Sequence, residues 1–347
     1  MVTIRDVADK SGFSITTVSM VLSPGPAAER ISPKTRTHVW KVARQLGYRP
    51  NLFARSLRSQ RSHTIGVIVF DITDAYCTQI LRGIENRMRP EGYFPIVADL
   101  QNEREQFRRC VDMLLGRRVE GLIAIANPVH LDIDVLAECA ERDTPTLVIG
   151  RELQRSPVSS IVVDNEAGTR LAIQYLHRLG HRRIAFIKGP KILADSLQRW
   201  HGITTFAKEA GLKIDPQLVI EIKGQNSTYA EGVEITEELL RRSPDFSAVL
   251  AFDDLTACAA IRALTRTGRR VPQDCSVVGF DDIPNAEFYN PPLTTIRQQL
   301  EMQGSLGAGI VGELITASRK KRTLKAKYRK VSPKLIIRES TCAAPRQ

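Results

Sequence analysis

The sequence of 347 residues contains no apolar run near 18 residues, the length that a transmembrane helix needs. Its first ten residues, MVTIRDVADK, also lack the apolar segment of a secretory signal. These absences predict a chain without a membrane span that works in the cytoplasm. Apolar residues make up 42% of the chain, which is enough to bury at least one large core.

The sequence also lacks the spacings of residues that bind metals or perform catalysis. Its six cysteines form no CxxC pair, and its six histidines show no metal-ligand spacing. Scattered cysteines in a chain of this length predict reduced thiols, not a disulfide framework or a zinc site. No elbow-type motif indicates a Ser-His-Asp arrangement. We therefore expect no catalytic residue, no metal and no cofactor, and a binding protein ranks above an enzyme.

One motif resembles an enzyme fingerprint. Residues 307–312 read GAGIVG, which fits the dinucleotide-binding pattern G-x-G-x-x-G. That fingerprint requires a strand before it and a helix that begins at it. Here it lies inside a predicted helix over 299–317, so small residues on the packing face of a helix are the better interpretation.

Charge is unevenly distributed. Residues 1–62 carry 11 Lys and Arg against 3 Asp and Glu, a net charge of +8, and residues 316–347 carry 11 against 1, a net charge of +10. The whole chain has a net charge of +12, so the 253 residues between these segments carry −6. A single run of charge is often only a solvated face, but a basic head on an acidic body predicts a phosphate-binding surface at the head.

The stretch from Thr3 to Leu22 has the outline of a helix-turn-helix. Apolar residues repeat at helical spacing on both sides of a break at Gly12. Gly12 is a natural turn residue after a first helix, and Ser14 can cap the second. In a helix-turn-helix, the second helix lies in the major groove with its N-terminal residues at the base edges. The alternative is an ordinary helical hairpin that binds nothing.

A third helix is predicted to begin at Pro33, with Ser32 as its N-cap and Gly47 as the residue that ends it. This helix would close a helical unit of about fifty residues, which has little core and is marginal alone.

A short basic helix is predicted over 52–58. An isolated helix of about seven residues is not stable in water, so this one should be ordered only when something holds it. The residues that it and its cap would present are Asn51, Ala54, Arg55, Leu57 and Arg58.

From residue 64 the sequence alternates between strand and helix patterns, which indicates parallel sheets buried on both faces. The length favours two doubly wound subdomains with a cleft, and ligands in such sheets lie beyond the carboxyl ends of the strands. The predicted strands are 65–70, 93–99, 120–126, 145–150, 159–164, 182–187, 218–222, 247–252, 275–280 and 293–298, and the predicted helices are about 75–89, 103–116, 132–142, 166–179, 196–210, 229–241, 254–267 and 299–317.

The sequence resembles the LacI/GalR family of bacterial transcription regulators over nearly its whole length. The motifs that carry the resemblance are DVADKSGFSITTVSMVL, ISPKTRTHVWKVARQLGYRPN, the hinge-like ARSLRS, LRGIE at 81–85, VEGLI at 119–123, VDNEAG at 163–168, LGHRRIAFIKGP at 179–190, VPQDCSVVGFDDIP at 271–284 and PPLTTIRQ at 291–298.

The resemblance implies an all-α helix-turn-helix headpiece and a periplasmic-binding-protein-like core of two doubly wound parallel-sheet subdomains. It implies a repressor-like homodimer or tetramer that binds a pseudo-palindromic operator in double-stranded DNA and a small effector. Effector binding would shift the N-terminal subdomains of a dimer and so order or melt the hinge helices. The sequence leaves open whether the effector is an inducer or a corepressor.

Family correspondence assigns roles in DNA binding. Ile15 and Thr16 match the base-reading pair, and their methyl groups suit contact with thymine, while Thr16 can also hydrogen-bond. Met20 departs from the pattern, since the family usually has an arginine there that holds guanine, so we expect weaker demand for guanine at that base. Leu57 matches the hinge leucine that wedges into the minor groove in family members, although it could instead pack on the core. Phosphate and positioning contacts are expected from Arg5, Ser14, Thr17, Ser19 and Lys34.

Family correspondence also places seven side chains at the effector cleft. Carboxylates accept hydrogen bonds from hydroxyl groups, a guanidinium donates in a fixed fork, and a Tyr or Trp ring can stack on a sugar. The expected effector is therefore a carbohydrate or sugar derivative. The seven residues are Asp74, Tyr76, Arg151, Arg199, Trp200, Asp253 and Asp281.

Two further aspartates, Asp164 and Asp282, are either cleft residues or structural ones that cap a loop and brace the subdomains. Asp74 and Asp253 stand where the family often has Asn. The extra carboxylates favour hydroxyl or amine donors and disfavour an anionic effector, although the two arginines act in the opposite sense.

The basic segment 318–330, SRKKRTLKAKYRK, departs most from the family pattern. It is either a solvated connector, the preferred interpretation, or a source of nonspecific DNA affinity. A rival function, a secreted solute-binding protein with the same core fold, would need a signal and would lack the basic head. The predicted domains are a DNA-binding domain 1–50, a hinge helix and linker 51–63, an effector-binding and dimerisation core 64–340, and a tail 341–347.

Overall fold

The computed structural model describes residues 2–22, 26–48, 61–125, 131–154, 156–322 and 324–345. The chain divides into two compact units, Met1–Ser62 and His63–Gln347. No helix in these described ranges is long and apolar enough to cross a membrane. The predicted hinge helix and its residues Asn51, Ala54, Arg55, Leu57 and Arg58 lie outside the described residues.

The first unit is helical, and the three predicted helices are confirmed. The helices are α1 (Ile4–Ser11), α2 (Ile15–Leu22), the four-residue α3 (Pro26–Glu29) and α4 (Pro33–Gln45). Thr3 caps α1 by accepting a hydrogen bond from the Asp6 N–H, and Gly12 ends α1 in a left-handed conformation with φ of 72°. The core of the unit is apolar and includes Val7, Val18 and Val39, which are fully buried.

The first sheet of the second unit contains β1 (Thr64–Val69), β2 (Phe94–Asp99), β3 (Leu122–Ile125), β4 (Thr146–Ile149), β5 (Ser159–Val163) and β11 (Tyr328–Val331). Its order in the described chain is β11-β5-β4-β3-β1-β2, and all neighbouring strands are parallel. One face packs against α5 (Ala75–Met88) and α12 (Leu300–Arg319). The other face packs against α6 (Gln106–Gly116) and α7 (Ile133–Glu141).

The second sheet contains β6 (Ile184–Lys188), β7 (Val219–Glu221), β8 (Ala248–Leu250), β9 (Ser276–Asp281), β10 (Thr294–Arg297) and β12 (Lys334–Ile336). Its order in the described chain is β12-β10-β9-β8-β6-β7, with β12 antiparallel to β10 and the other pairs parallel. Helices α8 (Asn165–Arg178) and α9 (Ala194–Glu209) pack on one face. Helices α10 (Tyr229–Arg242) and α11 (Asp254–Arg266) pack on the other, so the predicted pair of doubly wound sheets is confirmed.

The prediction that 318–330 is a solvated connector is wrong for the first and the last residues of that segment, which belong to a helix and to a strand. Helix α12 continues to Arg319, and β11 pairs in parallel with β5 from Tyr328 onward. The strand was missed because an edge strand is held mainly by its backbone, and only Val331 of β11 is buried. A strand of this kind does not need the apolar run that marks a central strand.

The GAGIVG run lies inside α12, as the sequence predicts, and packs on the first sheet. A Cβ added at Gly307 would lie 3.0 Å from the side chain of Leu147 in β4. The same helix crosses α5 closely, since a Cβ at Gly83 would overlap the carbonyl group of Glu301 and one at Gly304 would overlap that of Ile80. The run therefore serves helix packing, and a nucleotide fingerprint does not fit its position.

The segment predicted as a tail, 341–347, is attached to the second sheet as far as Ala344. The Ala344 N–H donates to the Leu179 carbonyl oxygen at 2.8 Å. His181 is fully buried, with Nδ1 2.8 Å from the Ser247 hydroxyl and Nε2 3.1 Å from the Cys342 carbonyl oxygen. This histidine therefore has a structural role that fixes the C-terminal segment.

Candidate functional site

Helix α2 presents an uncovered face at its N-terminal end. The Thr17 N–H donates to the Ser14 hydroxyl at 3.1 Å, which caps the helix as the sequence predicts. Ile15 and Met20 are 42% and 40% exposed, and Thr16 is exposed with them. These side chains can reach a partner because the apolar residues of α2 that hold it in the unit lie on the opposite side.

The residues predicted to contact phosphates differ in availability. Arg5, in the first turn of α1, and Lys34, in the first turn of α4, are both exposed. The hydroxyl groups of Ser14 and Thr17 lie 2.9 Å apart and hydrogen-bond to each other. Ser19 is half-buried. Two cations and the capped start of α2 are thus open to an anionic partner.

A cavity of about 510 Å³ lies in the second unit at the carboxyl ends of the strands of both sheets. This is the position at which ligands bind in doubly wound sheets. Residues that follow strands of the first sheet line one side, and residues that follow strands of the second sheet line the other. The lining includes Phe70, Asp71, Asp74, Tyr76, Asn102, Asp195, Arg199, Asn226, Ser227, Phe252, Asp253, Asp281 and Gln298.

Arg199 is a fixed cation in the cavity wall. It is only 6% exposed, and its guanidinium lies 3.8 Å from the ring centroid of Phe280. Its Nε donates to the Asn165 Oδ1 at 3.0 Å, and its Nη1 donates to the Phe252 carbonyl oxygen at 2.6 Å. Nη2 lies 3.7 Å from the Asp281 Oδ1, so the guanidinium is held with one edge near the ligand space.

Three aspartates extend into the same space from different elements. Asp74 caps α5 by accepting the Tyr76 N–H at 2.8 Å, and Asp253 caps α11 by accepting the Thr256 N–H at 2.8 Å. Asp281 ends β9 with φ of 122°, a conformation that a residue with a side chain rarely adopts. Strained backbone of this kind clusters at ligand sites.

Burial controls the ionisation of these carboxyl groups. Desolvation raises the pKa of Asp74 to about 6, with a further contribution from the charge of Asp253. Desolvation also raises the pKa of Asp281 well above its ordinary value, against the opposing effect of Arg199. The pKa of Asp195 is raised for the same reason. The cavity is therefore rich in hydrogen-bonding carboxyl groups around a single described arginine.

Comparison with known proteins identifies the family. Bacterial regulatory proteins of the lacI family match residues 3–51, and the periplasmic binding protein-like domain matches residues 173–341. The HTH-type transcriptional regulator DegA of Bacillus subtilis (strain 168) is 32% identical over 340 residues, which covers 98% of each chain. This chain belongs to the LacI family. As a LacI-family member it is an effector-controlled, DNA-binding transcriptional regulator and not an enzyme.

Two solved LacI-type structures extend the match to the whole fold. The lac repressor dimer bound to operator and the anti-inducer ONPF has 30% sequence identity and a TM-score of 0.82, and the match covers 99% of both chains. The transcriptional regulator CelR–cellobiose complex has 31% identity and a TM-score of 0.69, and the match covers 98% of this chain and 100% of that chain.

The cavity of this LacI-family chain contains five of the seven residues assigned from sequence: Asp74, Tyr76, Arg199, Asp253 and Asp281. Arg151 and Trp200 are not among its described lining residues. Trp200 follows Arg199 on α9 and so points to another side of the helix, where it packs edge-on against Phe186 with ring centroids 5.7 Å apart. Lys188 lies over its ring at 5.0 Å, so the indole packs within the protein.

The sequence analysis did not assign three of the residues that line the cavity, although their positions in the sequence could have indicated them. Asn102 and Asn226 follow β2 and β7 and obey the rule that ligand residues follow strands. Asp195 precedes Arg199 by one helical turn on α9 and therefore shares its face. The Asn226 amide nitrogen donates to the Asn102 Oδ1 at 2.9 Å, which joins the two sides of the cavity.

The two aspartates left open by the sequence have structural contacts. Asp164 caps α8 by accepting the Ala167 N–H at 3.0 Å and pairs with Lys330 at 2.9 Å. Asp282 is a buried carboxylate that pairs with Arg297 and, at 2.7 Å, with Arg338. Neither is among the described residues that line the cavity.

Proposed function

We propose that this regulator is a repressor that acts as a homodimer, or as a tetramer of such dimers, on a pseudo-palindromic operator. The observation that carries the proposal is the pairing, in one chain, of an exposed α2 face with a ligand-sized cavity at the carboxyl ends of two sheets. The lac repressor relative is a dimer bound to operator, which supports the same assembly here. Because its partner is operator DNA, we place its action in the cytoplasm.

We further propose that the effector is a carbohydrate. A cavity of about 510 Å³ suits a mono- or disaccharide. Its carboxyl groups can accept hydrogen bonds from sugar hydroxyls, while Arg199 can donate from a fixed plane. The CelR relative is a complex with cellobiose, which supports this class of ligand.

The proposed domain order assigns DNA binding to 1–50, the hinge and linker to 51–63, the effector and dimer core to 64–340 and a terminal segment to 341–347. In this proposal the base edges are read by Ile15, Thr16 and Met20. Leu57 inserts into the minor groove as a wedge. Unstacking the base step at which it inserts costs about a few kcal/mol. The proposed phosphate and positioning contacts are Arg5, Ser14, Thr17, Ser19 and Lys34. The hinge residues proposed to bind DNA beside Leu57 are Asn51, Ala54, Arg55 and Arg58.

In the proposed mechanism, the effector changes the separation of the two sides of its cavity. That change alters the contact between the two hinges of a dimer and so the affinity for operator. Coupling of about 1–3 kcal/mol between two ligands is typical of such linkage. The Asn102–Asn226 hydrogen bond is the described contact that such a movement would break or tighten.

A thermal-shift assay on the full chain tests the effector class. Cellobiose, glucose, ribose, hypoxanthine and guanine are added one at a time to the wild type and to Arg199→Lys. A sugar at about 100 times its Kd should raise the unfolding midpoint by about 4 °C. Arg199→Lys should lose this shift, because a lysine cannot keep the contacts to Asn165 and Phe252 while facing the ligand. Stabilisation by a purine and by none of the sugars would contradict the carbohydrate proposal.

A further inference from the structure

The parallel strands of the first sheet begin at a common edge, opposite to the edge that carries the cavity. We call this the amino edge and define it by the described residues of the second unit that lead into β1, β3, β4 and β11: 63, 117–121, 142–145, 320–322 and 324–327. These four strands run in the same direction, so the four loops lie along one side of the sheet.

Direct contacts join the loops of the amino edge. Arg319, at the end of α12, forms an ion pair with Glu120 and donates to the Tyr93 hydroxyl at 2.6 Å. The other carboxylate oxygen of Glu120 accepts the N–H of His63 at 2.8 Å. His63 is the first residue of the second unit, so the basic segment begins beside the start of that unit.

A surface groove of about 480 Å³ shows how close the basic segment lies to a neighbouring loop. Lys321 and Arg322 line this groove together with Asp143, Thr144 and Pro145 of the loop that leads into β4. The segment after α12 is therefore spread over the amino edge and does not extend away from it.

Positive charge is concentrated at the amino edge. The loop 320–327 contains five cations and no carboxylate. Lys327 pairs with Glu313, but the remaining four cations of this loop form no ion pair with any carboxylate that the structure describes. Arg117, Arg118 and Arg142 in the adjoining loops are exposed as well. The exposed cations contributed by 320–327 are Lys320, Lys321, Arg322 and Lys325.

The opposite edge of the same sheet has the opposite charge. Asp71 and Asp74 follow β1, and the segment 99–105, which starts at the last residue of β2, contains Asp99, Glu103 and Glu105 against a single arginine. A polyanion is therefore attracted to the amino edge and repelled from the cavity edge. His63, the first residue of the second unit, lies on the amino edge.

We propose that the amino edge is a second DNA-binding surface, which contacts the phosphates of duplex outside the base pairs read by α2. The four exposed cations of 320–327, and Lys320, Lys321 and Arg322 above all, supply the contacts. They add affinity without sequence preference, because phosphates are the same at every step. The inference rests on the proposed binding of operator DNA by the first unit.

A salt titration of the full chain tests the surface. Fluorescence anisotropy measures binding to a 60-base-pair duplex of mixed sequence, from about 50 to 200 mM KCl. The variant changes Lys320, Lys321 and Arg322 to Gln. Loss of two or three phosphate contacts should reduce the slope of log Kobs against log[KCl] by about 1.8–2.7, because each contact contributes about 0.9.

A matched variant controls for the change in net charge. The control variant carries Lys208→Gln, Lys213→Gln and Arg266→Gln, at exposed positions on the subdomain of the second sheet. Like the test variant, it loses two lysines and one arginine, and therefore three positive charges. This variant should keep the wild-type slope. The charge-conserving set Lys320→Arg, Lys321→Arg and Arg322→Lys should keep it too, with an unchanged unfolding midpoint in every variant.

The proposal is overturned if the slope of the Gln variant equals that of the wild type, or if the matched control falls equally. If the wild type binds duplex and the Gln variant has the same slope, DNA binding by the first unit still stands, and only the proposal for the amino edge is overturned. A wild type that binds no duplex at any of these salt concentrations would overturn both.

Discussion

At the scale of single residues, the cavity combines one buried guanidinium with carboxyl groups that differ in what they already bind. Both oxygens of Asp253 are used, by Thr256 and by the hydroxyl of Ser227. Arg199 has three fixed neighbours and keeps one edge near Asp281. Asp74 accepts only the Tyr76 N–H among its described hydrogen bonds, so its second oxygen can accept a hydrogen bond from a ligand hydroxyl.

Substitution of Asp74 should change how stability depends on pH. Burial raises its folded-state pKa to about 6, above the ordinary 3.8, so the folded chain binds more protons than the unfolded chain between these values. Its contribution to stability therefore falls as the pH rises from about 4 to about 6. Asp74→Asn keeps an acceptor for the Tyr76 N–H and lacks this loss, so its unfolding midpoint should rise relative to wild type between pH 4.5 and 7.

The control for that comparison is Asp134→Asn, an exposed position in the first turn of α7. Its difference from wild type should be the same at both pH values. If the unfolding midpoints of Asp74→Asn and wild type differ by the same amount at every pH, the Asp74 carboxyl group does not titrate between pH 4.5 and 7.

In the proposed assignment, Met20 is one of the residues that read the bases and so limits which base the regulator can require. Its thioether cannot donate the paired hydrogen bonds that guanine accepts from an arginine, and the side chain is 40% exposed on α2. Met20→Arg should add a preference for guanine at one position of the half-site, worth about 1–3 kcal/mol. Selection from randomised half-sites with both proteins measures it. A strict guanine requirement already present in the wild type would contradict this assignment.

At the scale of elements, the contact between α5 and α12 depends on two glycines that let the helix backbones approach. A methyl group at Gly83 would overlap the backbone carbonyl group of Glu301, which cannot move as a flexible side chain can. Gly83→Ala should therefore lower the free energy of unfolding by about 1–3 kcal/mol, measured by urea unfolding. Gly116→Ala, at the end of α6 with no described atom within 4 Å of the added Cβ, should be neutral or stabilising.

The same scale shows what the sequence predicted and what it could not. Enclosed strands such as β3 and β4 carry apolar side chains on both faces, so their runs were visible. The edge strand β11 is held by backbone pairing, and its exposed lysine and arginine concealed it. Trp200 shows the limit for side chains: family correspondence placed it at the cleft, but its helix turns it onto Phe186.

At the scale of the whole molecule, each unit has the chemistry for one half of a switch. The first carries an exposed helix face and free cations, and the second carries a cavity lined by residues from both sheets. The membership of the LacI family rests on relatives that match 98% of the chain and not on either unit alone. Linkage requires that an effector which alters operator affinity is itself bound more or less tightly in the presence of operator, by the same factor.

The most direct test of the account is a comparison of two duplexes by fluorescence anisotropy at about 150 mM KCl. One carries the operator selected from randomised sequence, and the other carries the same bases scrambled. Wild-type protein should bind the operator at least about 10³ times more tightly, and both affinities should fall steeply as salt increases. Equal affinity for the two duplexes, or binding that does not respond to salt, would contradict the claim that this chain is a sequence-specific DNA-binding regulator.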